Sequence, residues 1–133
     1  MLEYNVSAHR VDANGSVAQT KEAEVILDTC LSGRPDAFNP AELFLASIAA
    51  CMIKGIERVS PILKFELDGV KIKLHAKRQD APPMIVSVDY EIVVDTKESD
   101  VRLELLHKNV KKYGTIFNTV SKAVPLEGRM IRS

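Results

Sequence analysis

From residue 70 onward the chain alternates between apolar and polar side chains. Val70, Ile72, Leu74 and Ala76 fall on one face of an extended segment, with Lys71, Lys73, His75 and Lys77 on the other, a period of two that predicts a strand with one wet face. After Pro82-Pro83, the positions Met84, Val86, Val88, Tyr90, Ile92 and Val94 repeat the pattern, so the two strands are expected to pair as a hairpin. Nearer the N-terminus, residues 4–10 alternate weakly and "KEAEVILDT" follows the turn signal Asn14-Gly15; two or three strands are predicted there.

The period changes between these regions. Asn39 is a good N-cap, Pro40 suits the first helical position, and Glu42 stands where a capping box needs it. The helix is expected to run to about Ser60, because Pro61 disfavours helical geometry in the residue before it. Its apolar residues, Leu43 to Ile56, point in nearly every direction, as in a helix buried on most sides. Ser99 or Asp100 can cap a second helix carrying Val101, Leu103, Leu106, Val110 and Tyr113, ended by Gly114. A shorter helical stretch, "TIFNTVSKA", precedes a last strand, "GRMIR".

This order predicts one α+β domain over residues 1–133, with antiparallel sheets wrapped around a buried central helix. So few other elements hardly cover a helix apolar all round, and an intertwined homodimer is the expected solution.

Composition narrows the function classes. The chain has 18 basic and 18 acidic residues among 133, so no global field recruits nucleic acid or an anionic membrane. No apolar run approaches the roughly 20 residues of a bilayer span, and "MLEYNVSAHR" lacks a signal-peptide core. Cys30 and Cys51 are too few for a disulfide framework. A cytoplasmic protein is expected. His9, His75 and His107 are scattered, so neither a metal site nor a cofactor is predicted. There is no phosphate-binding glycine motif and no serine-hydrolase elbow.

Cys51, inside "NPAELFLASIAACM", is the candidate for chemistry. A thiol attacks as thiolate, and at its ordinary pKa near 8.5 only a few per cent is ionised at neutral pH. The helix's own dipole gives no help, because Cys51 lies roughly 16 Å from the helix start and the effect fades within a turn. A cation is required: Lys54 and Arg58 lie on the same face, and Arg10 or Arg34 are alternatives from elsewhere or from a second subunit. Free cysteine also packs as a small hydrophobe, so a buried, inert thiol fits the same residues.

The run Asn39-Pro40-Ala41-Glu42-Leu43-Phe44, continued by Ala49-Ala50-Cys51-Met52, resembles the cysteine-bearing helix of the OsmC and organic hydroperoxide resistance proteins. The strand-rich N-terminal third, the central hairpin and "KYGTIFNTVSKAVPLEGRMI" are similar to that family as well. The resemblance implies an intertwined α+β dimer with sites at the subunit interface. It also implies thiol-dependent reduction of organic hydroperoxides in oxidative-stress defence. Cys51 matches the peroxidatic thiol and Arg10 is the nearest match to the family's arginine. In that family a second cysteine closes a disulfide, which a dithiol such as dihydrolipoamide reopens.

Two positions depart from the family pattern. Gly114 stands where the second, resolving cysteine belongs, and Ala41 follows the proline where glutamate is usual; Glu42 is rotated about 100° from it and serves as a cap. An external thiol or dithiol is therefore the expected reductant. The alternative is a redox sensor or small-molecule binding protein using an apolar dimer cleft around Phe44, Met52 and Phe117.

Overall fold

The computed structural model describes residues 1–133, and the chain divides into two compact units, 1–44 and 45–133. The first unit carries a meander of three antiparallel strands, β1 (Ser7–Asp12), β2 (Gly15–Thr20) and β3 (Ala23–Leu27). Both turns are tight: Asp12 faces Gly15 across the first and Thr20 faces Ala23 across the second. Lys21 in the second turn has φ of 54°, the left-handed geometry that matches hairpin twist. The following loop is organised by Asp28, whose carboxylate accepts from the backbone N–H of Cys30 at 3.1 Å and of Arg34 at 3.0 Å. No apolar side chain before Ile48 is buried in the chain, and Val11, Ile26, Leu31 and Phe38 are exposed.

The long helix α1 (Pro40–Leu63) starts in the first unit and continues into the second. Its start is the predicted capping box: Glu42 N–H donates to Asn39 Oδ1 at 2.8 Å, and Asn39 N–H donates to Glu42 Oε1 at 3.0 Å. The helix outlasts the predicted end at Ser60, carrying Pro61 in its last turn. Two bonds close it, Phe65 N–H to the Ser60 carbonyl at 2.8 Å and Lys64 N–H to the Pro61 carbonyl at 3.2 Å. That pair is a Schellman closure, and Lys64 occupies its left-handed position with φ of 52°. Within the chain α1 buries one stripe, Ile48, Met52, Ile56 and Val59, and leaves Ile53 and Ile62 exposed.

In the second unit β4 (Gly69–Asp80) and β5 (Pro83–Asp95) form the predicted hairpin. Val88, Tyr90, Ile92 and Val94 face the core as expected. A bulge interrupts the register between Lys77 and Arg78, leaving Val86 without a partner. Beyond it the alternation fails, and Met84 is exposed. Helix α2 (Asp100–Tyr113) is capped by Ser99, whose hydroxyl accepts from Arg102 N–H at 3.3 Å. It buries Leu103, Leu106 and Val110, while Val101 and Tyr113 at its ends are exposed. Helix α3 (Thr115–Val120) is shorter than the predicted stretch, and β6 spans Leu126–Arg132.

One topological expectation is overturned. β6 pairs with β5 in parallel, Tyr90 opposite Gly128, so the second sheet is mixed, in the order β4-β5-β6. Helices α2 and α3 supply the long crossover that a parallel neighbour requires. The class is α+β, with two small sheets and helices.

Candidate active site around Cys51

Cys51 lies on the side of α1 that meets α2. One turn on, a Cβ added to Gly55 would stand 3.3 Å from Val110 Cγ1; at Cys51 itself, Sγ is 3.2 Å from where Gly114 would carry a Cβ. The row formed by Cys51 and Gly55 therefore rests on the row formed by Val110 and Gly114, with small residues permitting the approach. Cys51 is half-buried and its thiol is free.

Gly114 ends α2 with φ −81° and ψ 116°, a conformation open to any residue. A Cβ here would be tightly placed, 3.1 Å from Phe117 Cβ, 3.1 Å from the Val110 carbonyl oxygen and 3.2 Å from Cys51 Sγ, so a side chain at 114 needs its neighbours to give by a few tenths of an ångström. Phe117 and Cys51 thus flank a single point. Met52, although adjacent in sequence, is 1% exposed and belongs to the core stripe of α1. Phe44 is half-buried early in α1, within the first unit. Arg10, also in the first unit, is exposed on β1 opposite Ser16. Lys54 and Arg58 are exposed. The Arg34 guanidinium is committed to Asp36, its Nε 2.7 Å from the carboxylate, and to the Asn14 carbonyl at 3.3 Å.

Cys30 sits in the loop after β3, where Ser32 Oγ lies 3.2 Å from its sulfur. Hydrogen bonds from the Ser32 hydroxyl and then the Ser32 backbone hold its thiol below the ordinary value.

The model of the OsmC-like proteins matches residues 33–128, more than two thirds of this sequence. The chain belongs to the OsmC-like family. No curated protein sequence matches it. Among solved structures, an OsmC-like protein from Mycoplasma pneumoniae superposes with a TM-score of 0.89 at 15% identity, covering 98% of this chain and 97% of that one. The organic hydroperoxide resistance protein OsmC from Legionella pneumophila gives 0.75 at 18% identity, over 100% and 98%. The organic hydroperoxide resistance protein OhrB of Bacillus subtilis gives 0.65 at 17% identity, over 97% and 98%. At these identities the likeness is one of fold.

The OsmC-like chain also contains a polar pair that the sequence patterns did not single out. Tyr90 Oη and His107 Nε2 share a hydrogen bond of 2.6 Å, with the two rings edge to face at 5.7 Å. Burial raises the phenol to about 12. Burial, and then the charge of Lys111, lowers the imidazole to about 4. Both rings are therefore neutral at physiological pH. One signal was available in the sequence: His107 follows Leu103 by four residues and precedes Val110 by three, on the apolar face of α2.

Proposed function

We propose that this OsmC-like protein reduces organic hydroperoxides through Cys51 as its single peroxidatic thiol, in oxidative-stress defence, within one cytoplasmic domain of 133 residues. The observation that carries this reading is the 3.2 Å separation between Cys51 Sγ and the Cβ position of Gly114. In a disulfide, the bond length and ordinary angles set the distance from a sulfur to the far Cβ at roughly 3 Å. That distance supports Gly114 as the position of the absent resolving thiol. The Legionella pneumophila and Bacillus subtilis neighbours carry the name organic hydroperoxide resistance protein.

In the proposed cycle the Cys51 thiolate attacks the outer oxygen of ROOH. The O–O bond breaks, an S–O bond forms, and the alkoxide takes a proton to leave as ROH. An external thiol then attacks the sulfenic sulfur, expelling water and forming a mixed disulfide. A second thiol, or the second sulfur of a dithiol, releases Cys51. Arg10, delivered by the homodimer, is the proposed cation for the thiolate and the leaving oxygen. The dimer reading is supported by a first unit with no buried apolar side chain and by the exposed Ile53 and Ile62 on α1.

The test is hydroperoxide consumption with dithiothreitol or dihydrolipoamide. Cys51→Ser is expected to abolish it, and equal rates for the two proteins sink the proposal. Gly114→Cys is expected to form an intramolecular disulfide after peroxide treatment, visible as loss of two titratable thiols. The missing second thiol also favours a sensor, in which Cys51 sulfenic acid persists. Prompt dimedone labelling with slow turnover under excess dithiol selects that reading, and absence of labelling leaves ligand binding.

A further inference from the structure

Tyr90 is held from three sides. On the sheet, it stands opposite Gly128 of the parallel strand β6, where an added Cβ would fall 2.5 Å from two atoms of the tyrosine ring. Glycine at 128 therefore lets the ring lie against the backbone of β6. From α2, His107 bonds the hydroxyl at 2.6 Å. From α3, Phe117 meets the ring edge to face, with centroids 6.5 Å apart and planes at 85°. Tyr90 itself is only 5% exposed.

A phenol buried this deeply costs free energy unless its hydroxyl is bonded, and a phenylalanine would fill the same slot without that requirement. The bond to His107 does what area alone does not: it fixes how deep the ring sits and which way its edge points. The ring so held is the one that Phe117 meets edge to face. Phe117 Cβ in turn stands 3.1 Å from the vacant Cβ point of Gly114, with Cys51 Sγ 3.2 Å from the same point. The contacts thus run from the β6 backbone through Tyr90 to Phe117, which shares with Cys51 Sγ the empty point beside Gly114.

We infer that Tyr90, seated on Gly128 and tied to His107, is a positioning residue that fixes Phe117 as the wall beside Cys51 and so sets how large a reactant reaches the sulfur. This rests on the peroxidatic reading of Cys51. The hydrogen bond also needs no charged partner, since both rings stay neutral around pH 7.

The experiment uses Cys30→Ser as background, so that Cys51 alone reacts. Second-order rate constants are measured for sulfenic acid formation with hydrogen peroxide and with cumene hydroperoxide, and for alkylation with iodoacetamide and with N-phenylmaleimide. In Tyr90→Phe and His107→Leu, the ratio of bulky to small reactant is expected to shift by about fivefold, the effect of one lost neutral hydrogen bond. His107→Gln, whose carboxamide still partners the hydroxyl, is expected to retain the parent ratio. An unshifted ratio in Tyr90→Phe overturns the inference, as does identical behaviour of His107→Gln and His107→Leu. Should the parent protein not react with peroxides, the peroxidatic reading fails, while the alkylation ratios still decide whether Tyr90 positions the wall.

Discussion

At the scale of single residues, burial and hydrogen bonding decide what the ionisable groups do. His107 is lowered from its ordinary 6.5 to about 4, by burial first and by Lys111 second. Protonation therefore favours the unfolded chain: the stability is whole above about pH 6.5 and declines as pH falls towards 4. Because the ring is half-buried, the slope should stay below the ~1.4 kcal/mol per pH unit of one fully displaced proton. Urea midpoints from pH 7 down to 4.5 should fall more steeply for the wild type than for His107→Gln, and parallel curves would refute this. A second residue-scale expectation concerns Cys30, whose thiol is lowered chiefly by the Ser32 hydroxyl. In a Cys51→Ser background, Ser32→Ala should slow alkylation of Cys30 at pH 7 severalfold, and an unchanged rate counts against that cause. Local chemistry of this kind was legible where it is local in sequence. Asn39 and Glu42 sit three residues apart and bond as a capping box, whereas Tyr90 and His107, seventeen apart, meet only because β5 and α2 are brought together.

At the scale of elements, the periodic signals located the hairpin and the helices, and the misses arise where tertiary structure decides. Pro61 did not end α1: the helix carries it in its last turn, and the closure is made later, by Lys64 and Phe65. Arg102 adds to that closure, donating to the Leu63 carbonyl at 2.6 Å and the Lys64 carbonyl at 3.2 Å, where a cation suits the negative end of a helix. Lys64→Gly should therefore be neutral or stabilise by up to about 1 kcal/mol, since glycine enters the left-handed region without a Cβ penalty; clear destabilisation in thermal melts would contradict this. The direction of β6 was not legible, because a seven-residue strand pairs either way and only the crossover chooses. Parallel pairing brings Gly128 so close that a Cβ would crowd the Tyr90 carbonyl as well as its ring. Gly128→Ala should accordingly cost several kcal/mol. Gly69→Ala, whose Cβ would meet only Asp95 Cβ at 3.9 Å, should change stability by less than about 1 kcal/mol; equal effects in paired melts would rule this contrast out.

At the scale of the whole molecule, family membership was legible because the proline, apolar run and cysteine keep their spacing across one helix, and the matched region covers residues 33–128. The site was less so. Cys51 and Gly114 are 63 positions apart, and their contact depends on Gly55 letting α1 settle onto α2. Each unit leaves apolar side chains exposed, Val11, Ile26 and Phe38 in the first and Ile53 and Ile62 in the second, and a second copy is their proposed cover. Sedimentation at micromolar concentration should give a dimer, and a stable monomer would remove the route by which Arg10 reaches a thiol. The glycine beside Cys51 has one more consequence, at the level of the gene. Glycine and cysteine codons ending in a pyrimidine differ by a single base, so where codon 114 ends in a pyrimidine one transversion would put a second thiol beside the first. A lineage with such a codon would stand one mutational step from a chain with thiols at both 51 and 114, the pair that the Gly114→Cys variant tests.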